Sequence, residues 1–296
     1  MSSLRIGSRG SQLALWQANH IADALRVLGH TVEITIIKTT GDRMQDPVFK
    51  AANPDADGKG IFIKEIEEAL AAGAIDLAVH SLKDLPTELA PQFTIAAIPP
   101  RVDPRDVLVT VGGKSLQDLP ANARVGTTSP RRQSQLLAMR GDLQFVAMRG
   151  NVDTRVRKLQ EGQADALVLA AAGLDRLGMA EHISQRFAVT EVCPAPGQGA
   201  LAIETRADDA ATQTLLKPLD DAATRYAVTA ERSALHALGG GCSVPIGIFC
   251  EASSGGYTLH GTWSIGETLL RREIAVVASV PAEEAGARMA DALRAV

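Results

Sequence analysis

Three stretches of the chain hold side chains able to do chemistry, and each points to a different kind. Residues 124–158 gather Arg124, Arg131, Arg132, Arg140, Arg149, Arg155, Arg157 and Lys158 against Asp142 and Asp153 alone, in a protein of formal charge −4. A hydrogen bond to a charged group contributes roughly 1.5–3 kcal/mol, so several guanidinium groups grip a small polyanion tightly. The run Leu77-Ala78-Val79-His80-Ser81-Leu82-Lys83-Asp84-Leu85-Pro86 releases an acid and an amine from the end of an apolar segment. Asp84, kept ionised beside Lys83, could stabilise a developing cation or transfer a proton; capping the next turn is the competing role. Cys242 follows Gly239, Gly240 and Gly241, where bare backbone exposes a thiol. A nucleophile, a covalent anchor and a packed thiol are all open to it.

His80, inside the apolar part of its run, reads as a satisfied structural histidine. A solvated helix face suits Arg140, Arg157 and Lys158, whereas Arg131, Arg132, Arg149 and Arg155 stand at turn-to-helix junctions. Cys193 precedes a proline and Cys250 lies in an apolar run, so both read as packed thiols. Three widely spaced cysteines indicate neither a disulfide framework nor a zinc site, and no metal is expected. No Walker loop, dinucleotide fingerprint or cysteine–histidine pairing is present, which weakens ATPase, dehydrogenase and thiol-protease chemistry.

The length of 296 residues with 46% hydrophobic content suggests two or three domains. An acidic balance and 3% aromatic residues argue against a general nucleic-acid binder. The N-terminus lacks the apolar core of a signal peptide, and no apolar run approaches the ~20 residues of a membrane span, so a cytoplasmic enzyme is expected.

Strand-like runs over 32–37, 77–80, 94–98, 107–110, 145–148, 166–169 and 201–204 alternate with helical patterns, such as Leu13, Trp16, Ile21, Leu25 and Leu28 after Ser11. Ile63, Ile66 and Leu70 mark another helix. The alternation implies α/β domains with largely parallel sheets. Arg5-Ile6-Gly7-Ser8-Arg9-Gly10-Ser11-Gln12 and Arg124-Val125-Gly126-Thr127-Thr128-Ser129-Pro130-Arg131-Arg132 look like counterparts, each running from a strand into a helix whose free N–H groups favour an anion. Two lobes facing one cleft would follow. The segment 99–105 is expected to be a hinge and 193–199 a return crossing, while residues 42–59, full of breakers, suit a lid or an insertion. After Pro218 a helix over 222–238 should lead to Cys242, then strands over 246–250, 258–262 and 274–277 and a last helix.

Together these segments resemble the porphobilinogen deaminases, also called hydroxymethylbilane synthases. The similarity is carried by Ile6-Gly7-Ser8-Arg9 with Leu13-Ala14-Leu15-Trp16-Gln17, Gly58-Lys59-Gly60-Ile61-Phe62, Val79-His80-Ser81-Leu82-Lys83-Asp84, Asp103-Pro104-Arg105-Asp106, and residues 126–132 and 149–155. Ala172-Gly173-Leu174-Asp175-Arg176-Leu177, Gly197-Gln198-Gly199-Ala200 and Gly240-Gly241-Cys242-Ser243-Val244-Pro245-Ile246-Gly247 complete it. The chain departs from the family pattern in a longer, more polar segment over 46–57 and in Gln12, where proline is frequent.

The resemblance implies an α/β protein of two lobes like a type 2 periplasmic binding protein plus a small α/β C-terminal domain. The implied domains are 1–98 with 195–217, then 103–192, then 218–296. It also implies a dipyrromethane cofactor joined by a thioether to Cys242, and a head-to-tail condensation of four porphobilinogens with loss of ammonia. Asp84 matches the catalytic aspartate. Ser81, Lys83, Thr127, Ser129, Arg131, Arg132 and Gln198 match groups around the cofactor, with Asp84 among them. Arg9, Arg149, Arg155 and Arg176 match arginines that bind substrate and growing chain, and Gln17 and Phe62 line the substrate pocket. A monomer that passes its product to uroporphyrinogen-III synthase is expected. A non-catalytic, two-lobed carboxylate-binding protein would explain the arginines but leave Asp84 and Cys242 without a task.

Overall fold

The computed structural model describes residues 2–43, 63–240 and 244–295. These divide into two compact units, Met1–Pro100 with Leu201–Asp221 and Arg101–Ala200 with Ala222–Val296. In chain order the elements are β1 (Ser3–Ser8), α1 (Gln12–Val27), β2 (Thr31–Ile36), α2 (Thr40–Arg43), α3 (Lys64–Ala71), β3 (Leu77–Ser81), β4 (Phe93–Ala97) and β5 (Asp106–Thr110). There follow β6 (Arg124–Gly126), α4 (Pro130–Met139), β7 (Gln144–Val146), α5 (Val152–Gln160), β8 (Ala166–Ala170), α6 (Ala171–Arg176), β9 (Ile183–Arg186), β10 (Leu201–Arg206) and α7 (Ala210–Leu216). The last are α8 (Ala222–Ala237), β11 (Ile246–Ser253), β12 (Gly256–Ile265), β13 (Thr268–Val277) and α9 (Ala282–Arg294).

The first unit is one lobe around a sheet of order β2-β1-β3-β10-β4. Buried Ala18, Ile21, Ala22 and Leu25 recur on one side of α1 and meet Leu4, Ile6, Leu77, Val79 and Ile203 on one sheet face. On the other face Ile66 and Leu70 of α3 meet Ile75, Ala78 and Phe93. Covered on both sides, β3 opens with the unalternating apolar run Leu77-Ala78-Val79. Each fully buried Leu or Ile contributes about 1.5–3 kcal/mol.

The second unit repeats this lobe. Its sheet runs β7-β6-β8-β5-β9, and β6 is parallel to β7 and β8 as β1 is to β2 and β3. A side-chain clamp recurs with it: the N–H, Nε and Nη2 of Arg5 bind Asp76 at 2.8, 3.1 and 2.7 Å, and those of Arg124 bind Asp165 at 2.7, 3.3 and 3.0 Å. The second unit also holds an antiparallel sheet of order β11-β12-β13. Ala230 and Ala234 of α8 and Ala285, Met289 and Leu293 of α9 join Ile246, Ile248 and Leu259 in its core.

Largely parallel sheets were expected, and in each lobe four of the five strands run parallel while one is reversed. β10 runs antiparallel to β3 and β4, and β5 antiparallel to β8 and β9. In the first lobe the reversed strand, β10, comes from a stretch of chain remote from β1, β2, β3 and β4, whereas in the second the reversed β5 is the first of five consecutive strands. The expected strand over 145–148 is Gln144–Val146, and β9 and α6 carry too short a pattern to be foreseen. The lid or insertion expected over 42–59 lies outside the described residues from position 44 onward.

Candidate active site

In the first unit, chemistry collects where β1 and β3 end. Past β1, Arg9 lays Nε and Nη2 on Asp42 Oδ1 at 3.1 and 2.6 Å, and Thr39 Oγ1 donates to the other oxygen at 2.8 Å. Burial alone would raise the Asp42 carboxyl, but the bonds from Arg9 and Thr39 outweigh it and hold the pKa below its ordinary value. Ser11 caps α1, accepting from the Ala14 N–H. Gln17, buried on the same helix, donates to Ser81 Oγ at 2.8 Å. A single 3-10 turn, Leu82–Asp84, follows β3. Leu82 is buried beneath it, Lys83 is half-buried and Asp84 is exposed. The turn closes through main chain, Leu85 N–H on the Leu82 carbonyl at 3.2 Å. His80 is the structural residue its surroundings implied, buried with Nε2 2.9 Å from Glu204 Oε2.

In the second unit the matching turn is polar throughout. Thr127 is buried and its Oγ1 accepts from the Ser129 N–H at 3.2 Å. Pro130 opens α4, where a missing N–H costs nothing. Arg131 and Arg132 then fold inward, 4% and 8% exposed, onto Asp106 at 0%. Arg131 Nη1 donates to Asp106 Oδ2 and to the Cys193 carbonyl, both at 2.6 Å. Arg132 Nε and Nη2 donate to Oδ1 at 3.0 and 2.7 Å. Burial would push the Asp106 carboxyl up; the two guanidinium groups overcome this and draw it well below the usual carboxylate range. Gln198, 1% exposed, donates Nε2 to Pro104 O at 2.7 Å and to Asp106 Oδ1 at 3.1 Å. Those two acceptors fix the orientation of its amide. Oε1 is left buried with no hydrogen-bond partner among the described residues.

The other arginines differ in setting. Arg149 is exposed, and Gly150 beside it holds a φ of +120°, a conformation open to glycine. Arg155 Nε donates to the Gly150 carbonyl at 2.7 Å. Arg176 on α6 is 7% exposed and donates Nη2 to Gly199 O at 2.8 Å. Burial pulls its guanidinium down to about 10. Arg157 is solvated as foreseen, paired with Glu161, whereas Lys158 is half-buried and donates to the Arg149 carbonyl. Arg140 corrects the solvated-face expectation: it donates to the carbonyls of Leu116, Leu119 and Pro120 as well as to Asp142. Cys193 and Cys250 are buried, and burial pushes both thiols up to about 12.

Cys242 and Phe62 lie outside the described residues. The approach to Cys242 is described as far as Gly240. Gly239, at φ +67°, donates to His236 O, and Gly240 donates to Leu235 O at 2.9 Å. This is a glycine stop of α8 in which the last carbonyls are satisfied, so Gly239 has a structural reason of its own. Composition concealed Asp42 and Asp106, because each lies 25 or more residues from the arginines it holds. A lone acid opening the apolar run Val107-Leu108-Val109 was the available signal for Asp106.

Residues 4–214 match the sequence profile of the porphobilinogen deaminase dipyrromethane cofactor-binding domain, and residues 225–295 match that of the porphobilinogen deaminase C-terminal domain. The chain belongs to the porphobilinogen deaminase family. It is 46% identical to the porphobilinogen deaminase of Brevibacillus brevis over 99% of both chains. It is 47% identical to that of Syntrophotalea carbinolica over 99% of this chain and 93% of the relative. With that of a Roseiflexus species the identity is 51% over 88% and 85%. Among solved structures, a methionine-binding protein, MetQ, overlaps 73% of this chain and 89% of its own at 14% identity and a TM-score of 0.47. Porphobilinogen deaminases are transferases that carry dipyrromethane, and so is this chain. Its described residues fit that group: paired guanidinium groups suit acid side arms, and the orphaned Gln198 carbonyl suits a pyrrole N–H.

Proposed function

We propose that the chain joins four porphobilinogens head to tail into the linear tetrapyrrole hydroxymethylbilane, with release of ammonia, from a dipyrromethane primer anchored by a thioether at Cys242. The buried pair Arg131 and Arg132 with the unpartnered Gln198 carbonyl supports this reading, since two guanidinium groups sharing one carboxylate keep a net positive charge suited to acid side arms, and the carbonyl suits an N–H donor. When bound, dipyrromethane supplies the pyrrole carbon to which the first unit is added.

Asp84 stabilises positive charge on porphobilinogen as ammonia leaves, accepts hydrogen bonds from pyrrole N–H and shuttles the displaced proton. Its exposed turn, anchored by buried Leu82, suits that task. Ser81, Lys83, Thr127, Ser129, Arg131, Arg132 and Gln198 hold the primer. Arg9, Arg149, Arg155 and Arg176 bind acetate and propionate arms of substrate and product, and Gln17 and Phe62 shape the substrate pocket. The working division is three domains, 1–98 with 195–217, 103–192 and 218–296. The enzyme acts as a cytoplasmic monomer and hands its product to uroporphyrinogen-III synthase; among the described residues no helix is long and apolar enough to cross a membrane.

Intact mass tests the anchor. Wild-type protein should be heavier than its sequence by two pyrrole units, and Cys242→Ser should fold, carry no added mass and be inactive. Normal turnover by Cys242→Ser would overturn the assignment.

A further inference from the structure

We infer that Asp106 is a positioning residue: it holds the Arg131 and Arg132 guanidinium groups and the Gln198 carboxamide in the attitude that receives the primer. This rests on the cofactor-binding role proposed above for those three residues. Asp106 opens β5 with no exposed surface. One carboxylate oxygen faces Arg131, and the other is shared by Arg132 and Gln198. The bond from Gln198 Nε2 turns Oε1 toward the place where no described residue meets it. An arginine side chain has many rotamers, and a buried carboxylate fixes two such forks before ligand arrives.

The repeated lobe builds the same strand, turn and helix without this cluster. Ser81 at the end of β3 pairs with Leu201 of β10, and Ala170 at the end of β8 pairs with Asp106 of β5. Leu201 therefore occupies in the first lobe the place of Asp106 in the second. Counted from the N-cap residues Ser11 and Ser129, Leu13 and Ala14 stand where Arg131 and Arg132 stand. The same count sets buried Gln17 against buried Gln135, which supports the alignment. One lobe thus builds the strand, turn and helix with two leucines and an alanine. The other places two cations and an anion at the same points. Buried ion pairs cost desolvation, and apolar replacements of similar volume are often as stable or more so. The charges are there for what the guanidinium groups bind, and Asp106 is the resident anion that orients them.

The test compares full-length Asp106→Asn, Arg131→Gln and Arg132→Gln with wild type. Circular dichroism and thermal unfolding give the folded fraction, and intact mass follows primer assembly from added porphobilinogen. Asp106→Asn, with both arginines intact, should assemble primer on its folded fraction about tenfold more slowly, the equivalent of one misplaced charged hydrogen bond, and Asp106→Glu should recover part of the rate. Assembly by Asp106→Asn at the wild-type rate, with both arginine variants impaired, overturns the inference alone. Normal assembly by both arginine variants overturns the cofactor-binding role on which it rests. Should Asp106→Asn fail to fold, the triple variant Asp106→Leu, Arg131→Leu, Arg132→Ala, which carries the first lobe's residues, takes its place. Cooperative folding without primer supports the inference, and failure of the triple to fold overturns it.

Discussion

Asp84 and the cysteines show how surroundings assign roles to side chains of ordinary chemistry. Asp84 is exposed at the tip of a three-residue turn, so removing its charge disturbs little packing. Asp84→Asn should keep its primer, seen by intact mass, while kcat falls by roughly two to four orders of magnitude, the usual contribution of a placed acid or base. Loss of primer along with turnover would make Asp84 a binding residue instead. Cys193 and Cys250 illustrate the opposite case. Burial raises both thiols to about 12, above an unfolded value of about 8.5. The stability they contribute is therefore complete below about pH 8.5 and is lost as pH climbs toward 12. At pH 8 the native protein should gain no mass from iodoacetamide; after unfolding it should gain two adducts if Cys242 is blocked by a thioether, and three if it is free. The acids that hold Arg9 and Arg131 were not legible in the sequence, because a carboxylate 25 or 33 residues away gives no local pattern. His80 was legible, since an apolar run around one imidazole leaves it little besides a buried partner.

At the scale of elements, the duplicated strand-to-helix turn was readable because both copies write it in consecutive residues, from Arg5 and from Arg124. The clamps Arg5–Asp76 and Arg124–Asp165 confirm the duplication. What stayed hidden was that one strand of each lobe, β10 and β5, is reversed, because the apolar pattern within a strand carries no direction. The pattern was clearest in the buried central strands β3, β5 and β8, while the hairpin strands expected over 246–250, 258–262 and 274–277 run on to Ile246–Ser253, Gly256–Ile265 and Thr268–Val277. The pairing of α8 with α9 depends on a feature that no periodicity reveals. Gly286 of α9 lies so close to α8 that a Cβ there would stand 2.3 Å from the Ala230 carbonyl and 2.8 Å from the Ala234 nitrogen. Those are backbone atoms, which cannot swing aside as a side-chain tip can. Gly286→Ala, although it favours helix, should cost about 1–3 kcal/mol by overpacking, read from the urea midpoint. A midpoint that rises would mean that propensity outweighs contact at this crossing.

Across the molecule as a whole, one carboxylate ties together distant parts of the second unit. Glu231 of α8 is fully buried and accepts from three stretches far apart in sequence. Arg101 Nη1 and Nη2 bind it at 2.8 and 2.7 Å, the Gly197 N–H at 2.7 Å and the Cys250 N–H at 2.8 Å. It thereby joins the first residue of the unit, the segment leading to β10 and the central part of β11, the strand that follows Cys242. Four donors satisfy both oxygens, so the buried charge is well compensated. Glu231→Gln preserves shape but turns an amide N–H₂ toward the guanidinium or a backbone N–H, setting donor against donor. The Arg101 charge also loses its buried counterion. Breaking a buried pair in this way costs about 3–5 kcal/mol, so Glu231→Gln should unfold at markedly lower denaturant with an unchanged m-value if the unit still melts as one. A transition that instead splits into two steps would show that Glu231 couples the C-terminal sheet to the second lobe, and a midpoint equal to wild type would show that neither depends on it.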